Sequence, residues 1–121
     1  MPEPGSQDPL IGDLRRAGLL PLLVLHYAMR EPCYGNQLIE RIGELTSGAL
    51  KVNPNTMYPL LRALEAEGLL AGTWEHPERR SRRFYRATEA GEAERERLAA
   101  ELRPRLERIS RSIRSIRAEA L

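Results

Sequence analysis

Residues 53–69 read N-P-N-T-M-Y-P-L-L-R-A-L-E-A-E-G-L. Met57, Leu60, Leu61 and Leu64 recur at i, i+3, i+4 and i+7, the spacing that gathers side chains on one side of a helix. Asn53 suits the N-cap, because its side-chain oxygen can accept a hydrogen bond from a free amide of the first turn. Pro54 then takes the first helical position, where its missing N–H is no loss. Gly68 supplies the stop, since glycine adopts the left-handed conformation that closes many helices. Pro59 is costly inside a helix, but it stands only five residues after Pro54, so its strain falls near the start. The opposite face carries Asn55, Tyr58, Pro59 and Arg62. An apolar back with a front of amide, phenol and guanidinium suits the major groove of DNA. An amphipathic core helix with an ordinary solvated face satisfies the same pattern.

The residues that follow add a hairpin. Residues 69–75 (L-L-A-G-T-W-E) and 82–87 (R-R-F-Y-R-A) both read as strands, with Trp74, Phe84 and Tyr85 favouring a pleated surface. Gly72 in the first of them marks a bulge or a close backbone approach. The polar loop H-P-E-R-R-S lies between. Helix, hairpin with a basic tip, then a new helix is the order of a winged helix-turn-helix. Arg79, Arg80, Arg82 and Arg83 place four cations within five residues, as a wing that meets phosphates needs.

These residues resemble the signature of PadR-like transcriptional regulators. N-P-N-T-M-Y-P-L-L-R-A-L-E-A-E-G-L-L carries most of the resemblance, supported by Tyr34-Gly35, the wing R-R-S-R-R-F-Y and the T-E-A-G that follows. It runs from about residue 19 to about residue 91. The T-x-Y-P positions match at Thr56, Tyr58 and Pro59. Because the chain stops soon after one C-terminal helix, it is similar to the short branch of that family. The resemblance implies a dimeric DNA-binding repressor. Some members respond to aromatic compounds held between subunits, which leaves room for a small-molecule effector of unknown identity. The only tryptophan, Trp74, falls in the wing, and the last helix offers no aromatic to stack on a flat ligand.

Size and composition set limits. A chain of 121 residues makes one domain, and with 5% aromatic residues its core is mostly aliphatic. The net charge of +2 is modest, but its distribution is not: residues 76–86 hold five arginines against one glutamate, Glu78. The single cysteine, Cys33, excludes an intrachain disulfide and a cysteine-pair zinc motif. Beside Arg30 it is either a redox-sensitive thiol or a buried, inert one. The first nine residues lack the basic and apolar regions of a signal peptide, and no stretch reaches the length of a membrane span. A cytoplasmic location is expected. No phosphate-binding loop, dinucleotide fingerprint, zinc-protease or nucleophile-elbow motif occurs, so neither an enzyme nor a cofactor is expected.

In chain order, residues 1–12 are expected to be a flexible tail, 13–88 a winged helix-turn-helix and 89–121 a dimerisation helix. The fold class is mainly α with a small β-hairpin wing. Residues 13–29 are apolar nearly all round, interrupted by Gly18 and Pro21, so they form either one kinked helix or two. This element, with Leu22, is expected to lie between the domain and a partner subunit. His26 within it reads as a packed core histidine. Residues 34–46 form the next helix, closed by Gly48. There Gly35 either frees amides for a phosphate or allows a close helix–helix approach. Residues 49–52 alternate as a short third strand. In the last helix, with Thr88 as N-cap, Leu98, Leu102, Leu106, Ile109, Ile113 and Ile116 make a coiled-coil-like seam, and Pro104 should kink or break it.

The leading reading is therefore a homodimeric regulator that binds double-stranded DNA. Asn55, Tyr58 and Arg62 reach base edges, with Asn53, Thr56 and Pro59 at the helix start. Tyr34, Lys51, Arg79, Arg80, Arg82 and Arg83 contact phosphates. The alternative is a winged-helix protein-interaction module that does not touch DNA.

Overall fold

In the computed structural model, which describes residues 9–121, the chain runs α1 (Pro9–Arg16), α2 (Leu19–Arg30), α3 (Gly35–Leu45), α4 (Pro54–Ala66), β1 (Leu70–Trp74), β2 (Arg83–Ala87) and α5 (Glu89–Ala120). α3 and α4 form the helix-turn-helix and β1–β2 the wing. The strands pair antiparallel, with Leu70 opposite Ala87 and Trp74 opposite Arg83.

α2 is the centre of the core. Leu20, Val24, Leu25 and Ala28 are buried against Leu38 and Ile42 of α3, Met57, Leu61 and Leu64 of α4, Leu70 and Tyr85 of the hairpin, and Leu98 of α5. Each fully buried aliphatic side chain contributes about 1.5–3 kcal/mol relative to exposure. This element was expected between the domain and a partner. One face of it packs into its own subunit's core, against which Leu22 lies half-buried, while Met29 and Arg30 stay exposed. The break falls at Gly18, φ 105°, so two helices form rather than one kinked one.

Three further expectations change. The tail was expected to extend to residue 12, but α1 begins at Pro9. Pro9 fits a first helical position, and Ile11 and Leu14 turn inward on one face. The rest of that expectation, residues 1–8, lies outside the described residues. Residues 49–52 form no strand, and the sheet among the described residues has two strands. Their alternation is one of burial alone, Leu50 and Val52 facing the core with Lys51 outside. The free edge of β2 is met from elsewhere: the Cys33 N–H donates to the Tyr85 carbonyl at 3.0 Å, and the Tyr85 N–H returns the bond at 2.7 Å.

α5 is the third. It runs 32 residues through Pro104 without a break. Proline deletes one backbone donor there, and the helix tolerates the gap. Its seam does not stay on one kind of surface. Leu98 and Leu102, expected at a subunit interface, are 6% and 1% exposed and belong to their own domain. Leu106, Ile113 and Ile116 are 37%, 46% and 55% exposed, and Ile109 is half-buried.

Candidate nucleic-acid interface

The start of α4 is built by its cap. The Asn53 side chain accepts from the Thr56 N–H at 3.1 Å, with Pro54 as the first helical residue. The Asn53 side chain and the Thr56 N–H are thus occupied in shaping the helix start. Asn55, Pro59 and Arg62 are exposed along the outer face. Among the described residues Arg62 has no carboxylate partner, so its planar fork of donors is available.

Tyr58 is placed differently from that stripe. Its ring lies on Gly35, where an added Cβ would come within 2.6 Å of the ring, and its hydroxyl donates to Asn36 Oδ1 at 3.3 Å. Of the two roles open for Gly35, close packing is the one seen. Tyr58 therefore joins α4 to the first turn of α3, with its hydroxyl edge still at the surface. Tyr34 caps α3, its backbone N–H donating to Gln37 Oε1 at 3.2 Å. Its ring stands edge-on to Phe84 of the wing.

The wing loop is tied by Ser81, whose hydroxyl accepts from the His76 N–H and donates to the His76 carbonyl, both at 2.9 Å. This holds Arg79 and Arg80 at the tip, exposed and free of carboxylate partners among the described residues. The four wing arginines are not equivalent. Arg82 donates to Glu75 at 2.7 Å and stacks 4.2 Å above the Tyr34 ring. Arg83 donates from Nε and Nη2 to the two oxygens of Glu65, at 3.2 and 2.5 Å, and lies 4.8 Å from the Trp74 ring. These hydrogen bonds hold the Glu65 and Glu75 carboxyls below the usual glutamate range. Lys51 is exposed in the connection between α3 and α4.

Tyr34, Tyr58, Arg62, Trp74 and Arg82 thus wall one cleft of about 450 Å³ between the start of α3, α4 and the wing. The structure gathers there five of the twelve residues read from sequence, Tyr34, Tyr58, Arg62, Arg82 and Arg83, and leaves Lys51, Asn53, Asn55, Thr56, Pro59, Arg79 and Arg80 outside the cleft. It adds Asn36, Glu65 and Trp74, which that reading left without a role at the site. Glu65 had a signal: Tyr58, Arg62 and Glu65 stand at i, i+4 and i+7, one stripe of α4. Asn36 and Trp74 had none, because their part depends on elements distant in sequence.

Other candidate groups lie elsewhere. Cys33 is fully buried, and burial pushes its thiol up, outweighing the nearby Arg41 guanidinium. The neighbouring arginine is Arg41 and not the Arg30 expected, with Nη1 3.8 Å from Sγ. This is the environment of an inert thiol. His26 is half-buried in α2, and burial, with Arg30 and Arg95 nearby, holds its imidazole low. Among the described residues no three His, Cys, Asp or Glu side chains are grouped to hold a metal. No helix among them is long and apolar enough to cross a membrane.

The model of the transcriptional regulator PadR-like family matches residues 24–97. A transcriptional regulator of Mycobacterium tuberculosis is 42% identical over 72 residues, 60% of this chain and 64% of that protein. The match thus spans less than two thirds of that relative's length. Among solved structures, a PadR family transcriptional regulator from Eggerthella lenta is 32% identical, with a TM-score of 0.65 over 86% of this chain and 88% of the other. A PadR-like transcription factor from Bacteroides fragilis is 27% identical, with a TM-score of 0.63 over 84% and 96%. A transcriptional regulator from Clostridium thermocellum shares the fold at 19% identity, with a TM-score of 0.69 over 82% and 96%.

Proposed function

The chain belongs to the PadR-like family of transcriptional regulators, and from that premise we propose that it is a cytoplasmic, dimeric repressor of a pseudo-palindromic operator. Two α4 helices enter successive major grooves, one per half-site. Arg62 and Asn55 read base edges, having the paired donors that guanine and the amide that adenine require. Tyr58 approaches from the packed side of the same helix. Arg79 and Arg80 meet phosphates beyond the groove, Arg82 and Lys51 assist, and these contacts fix register without reading sequence.

One observation carries the reading: an exposed stripe with an unpaired Arg62 stands beside a tip whose Arg79 and Arg80 have no carboxylate partner among the described residues. Cations without internal partners on one face are what a polyanion needs. The distal half of α5 supports the dimer. Beyond Leu102 the helix buries no further side chain, yet it continues about 27 Å carrying an apolar stripe. A second copy of that stripe is its natural cover.

The test is selection of bound duplexes from a random-sequence pool, followed by titration at several salt concentrations. Recovery of a two-fold symmetric site whose affinity falls steeply with salt supports the reading. A chain that selects no duplex and instead binds protein partners independently of salt would establish the protein-interaction alternative. Arg79→Ala with Arg80→Ala should weaken all duplexes alike and flatten the salt slope by roughly 1–2 units per wing. Arg62→Ala should instead relax preference at one position of the site, at about 1–3 kcal/mol.

A further inference from the structure

We infer that Glu65 and Arg83 form a positioning pair that fixes the wing against the recognition helix, with Gly72 as the seat that lets Arg83 reach Glu65. The inference rests on the DNA-binding reading above. Arg83 opens β2, opposite Trp74 on β1. From there its side chain crosses the sheet toward α4 and grips both oxygens of Glu65. The bidentate geometry fixes direction as well as distance. The two side chains are only 24% and 30% exposed, so water screens them less than a surface pair.

Gly72 makes that path available. A Cβ at Gly72 would fall inside the contact distance of the Arg83 guanidinium, whose Nε, Cζ and Nη2 are its nearest neighbours. In sequence terms a glycine here marks a bulge or a close backbone approach. The approaching group is this arginine. On its other side the guanidinium lies against the Trp74 ring. Arg83 is therefore held by a carboxylate, by an indole and by the surface of β1. It has little freedom left to follow a phosphate, unlike Arg79 and Arg80.

Charge alone argues against a carboxylate here. Glu65 stands one turn along α4 from Arg62, the residue assigned to a base edge. A negative charge there repels a phosphate backbone, and it neutralises one of the wing's cations. Counting charges, removing it should tighten binding. The geometry points the other way, because the pair ties α4 to β2. Arg82 on Tyr34 and Tyr58 on Gly35 close the other two sides of the triangle formed by α3, α4 and the wing. Without Glu65 the wing keeps its cations but loses its angle. Groups held loosely around a site lose much of their binding contribution.

The experiment uses a duplex selected by the full chain and a random-sequence duplex of equal length. Each is titrated at several salt concentrations with the wild type, Glu65→Gln, Arg83→Gln, the double variant and Gly72→Ala. Each single variant should lose about tenfold on the selected duplex, and the double variant should be no worse than either single one. Binding to the random duplex should hold within about twofold, and the salt slope should stay at the wild-type value. Gly72→Ala should reproduce the loss with every charge in place, and circular dichroism should show all variants folded. Glu65→Gln keeps the side chain's size, so it carries the test even where Gly72→Ala unfolds. Equal or tighter binding by Glu65→Gln overturns the inference. So does an Arg83→Gln loss that adds to that of Glu65→Gln and lowers the slope by about one per wing, since Arg83 is then a phosphate contact. A wild-type chain that selects no duplex removes the DNA reading itself, and this inference with it.

Discussion

Up to Leu102, α5 is a core element; beyond Pro104 it lies on the surface. The two halves carry one apolar pattern, Leu98 and Leu102 in the first, Leu106, Ile109, Ile113 and Ile116 in the second. Leu98 and Leu102 are buried in their own domain, while Ile113 and Ile116 are about half exposed. A seam at spacings of four and three says that a stripe will be covered, and does not say by what. In the first half the cover is the subunit's own α2. In the second no side chain of the stripe is buried. One substitution placed in each half should therefore have different consequences.

The largest effect belongs to the first half. Leu102→Asp puts a carboxylate without a partner into the core, and should cost more than about 4 kcal/mol, enough to unfold a domain of this size. Urea unfolding followed by circular dichroism measures it. A folded Leu102→Asp chain would erase the distinction between the halves.

Ile109→Asp with Ile113→Asp asks the same of the second half. The free subunit can leave those carboxylates in water, so the chain should stay folded while association is lost. Sedimentation equilibrium should then give a monomer. Affinity for a two-half-site duplex should fall on the order of a hundredfold, because linkage no longer makes the second contact intramolecular. A dimer with full affinity would assign the interface to other residues. Loss of fold would show that the distal half is covered within its own subunit.

Pro104→Ala probes the boundary. It restores a backbone donor and removes a residue costing up to about 3 kcal/mol in a helix interior. Because the half beyond it is not packed on its own domain, the gain in thermal stability should be smaller, on the order of 1 kcal/mol, with more helix by circular dichroism. A loss of dimer would mean that the proline sets the angle of the two helices.

The smallest effect is electrostatic and proximal. The Arg97 hydrogen bond holds the Glu94 carboxyl below its usual range. A lowered value in the folded state means the pair stabilises above the ordinary glutamate range, and loses that contribution as pH falls through the folded value. The thermal midpoints of wild type and Glu94→Gln should accordingly differ slightly at pH 7 and converge toward pH 3. A difference that widens on acidification would contradict the sign.

Much of this architecture was legible in the chain. The cap at Asn53, the first-turn proline and the stop at Gly68 describe α4 closely, because local chemistry ends helices locally. The wing was legible for the same reason, aromatic strands flanking a polar loop. Residues 49–52 form no third strand, since alternating burial in an extended loop looks like a strand without needing a partner. The partner of β2 came from Cys33, whose sequence carries no strand pattern. At the site, Arg62, Arg79 and Arg80 needed only exposure, which composition gives. The fate of Arg82 and Arg83 depended on Glu75, Glu65, Tyr34 and Trp74 converging from separate elements. No spacing within the chain encodes that convergence.

If the winged-helix domain binds DNA and the distal α5 pairs two chains, the complex holds two copies on one site. The most direct measurement is the salt dependence and stoichiometry of wild-type binding to a duplex selected by the chain. Two chains per duplex and a linear fall of log K with log salt are expected. Four tip arginines on two wings, at about 0.9 each, set a slope of at least about −3. A single chain per duplex, or an affinity indifferent to salt, would contradict that expectation.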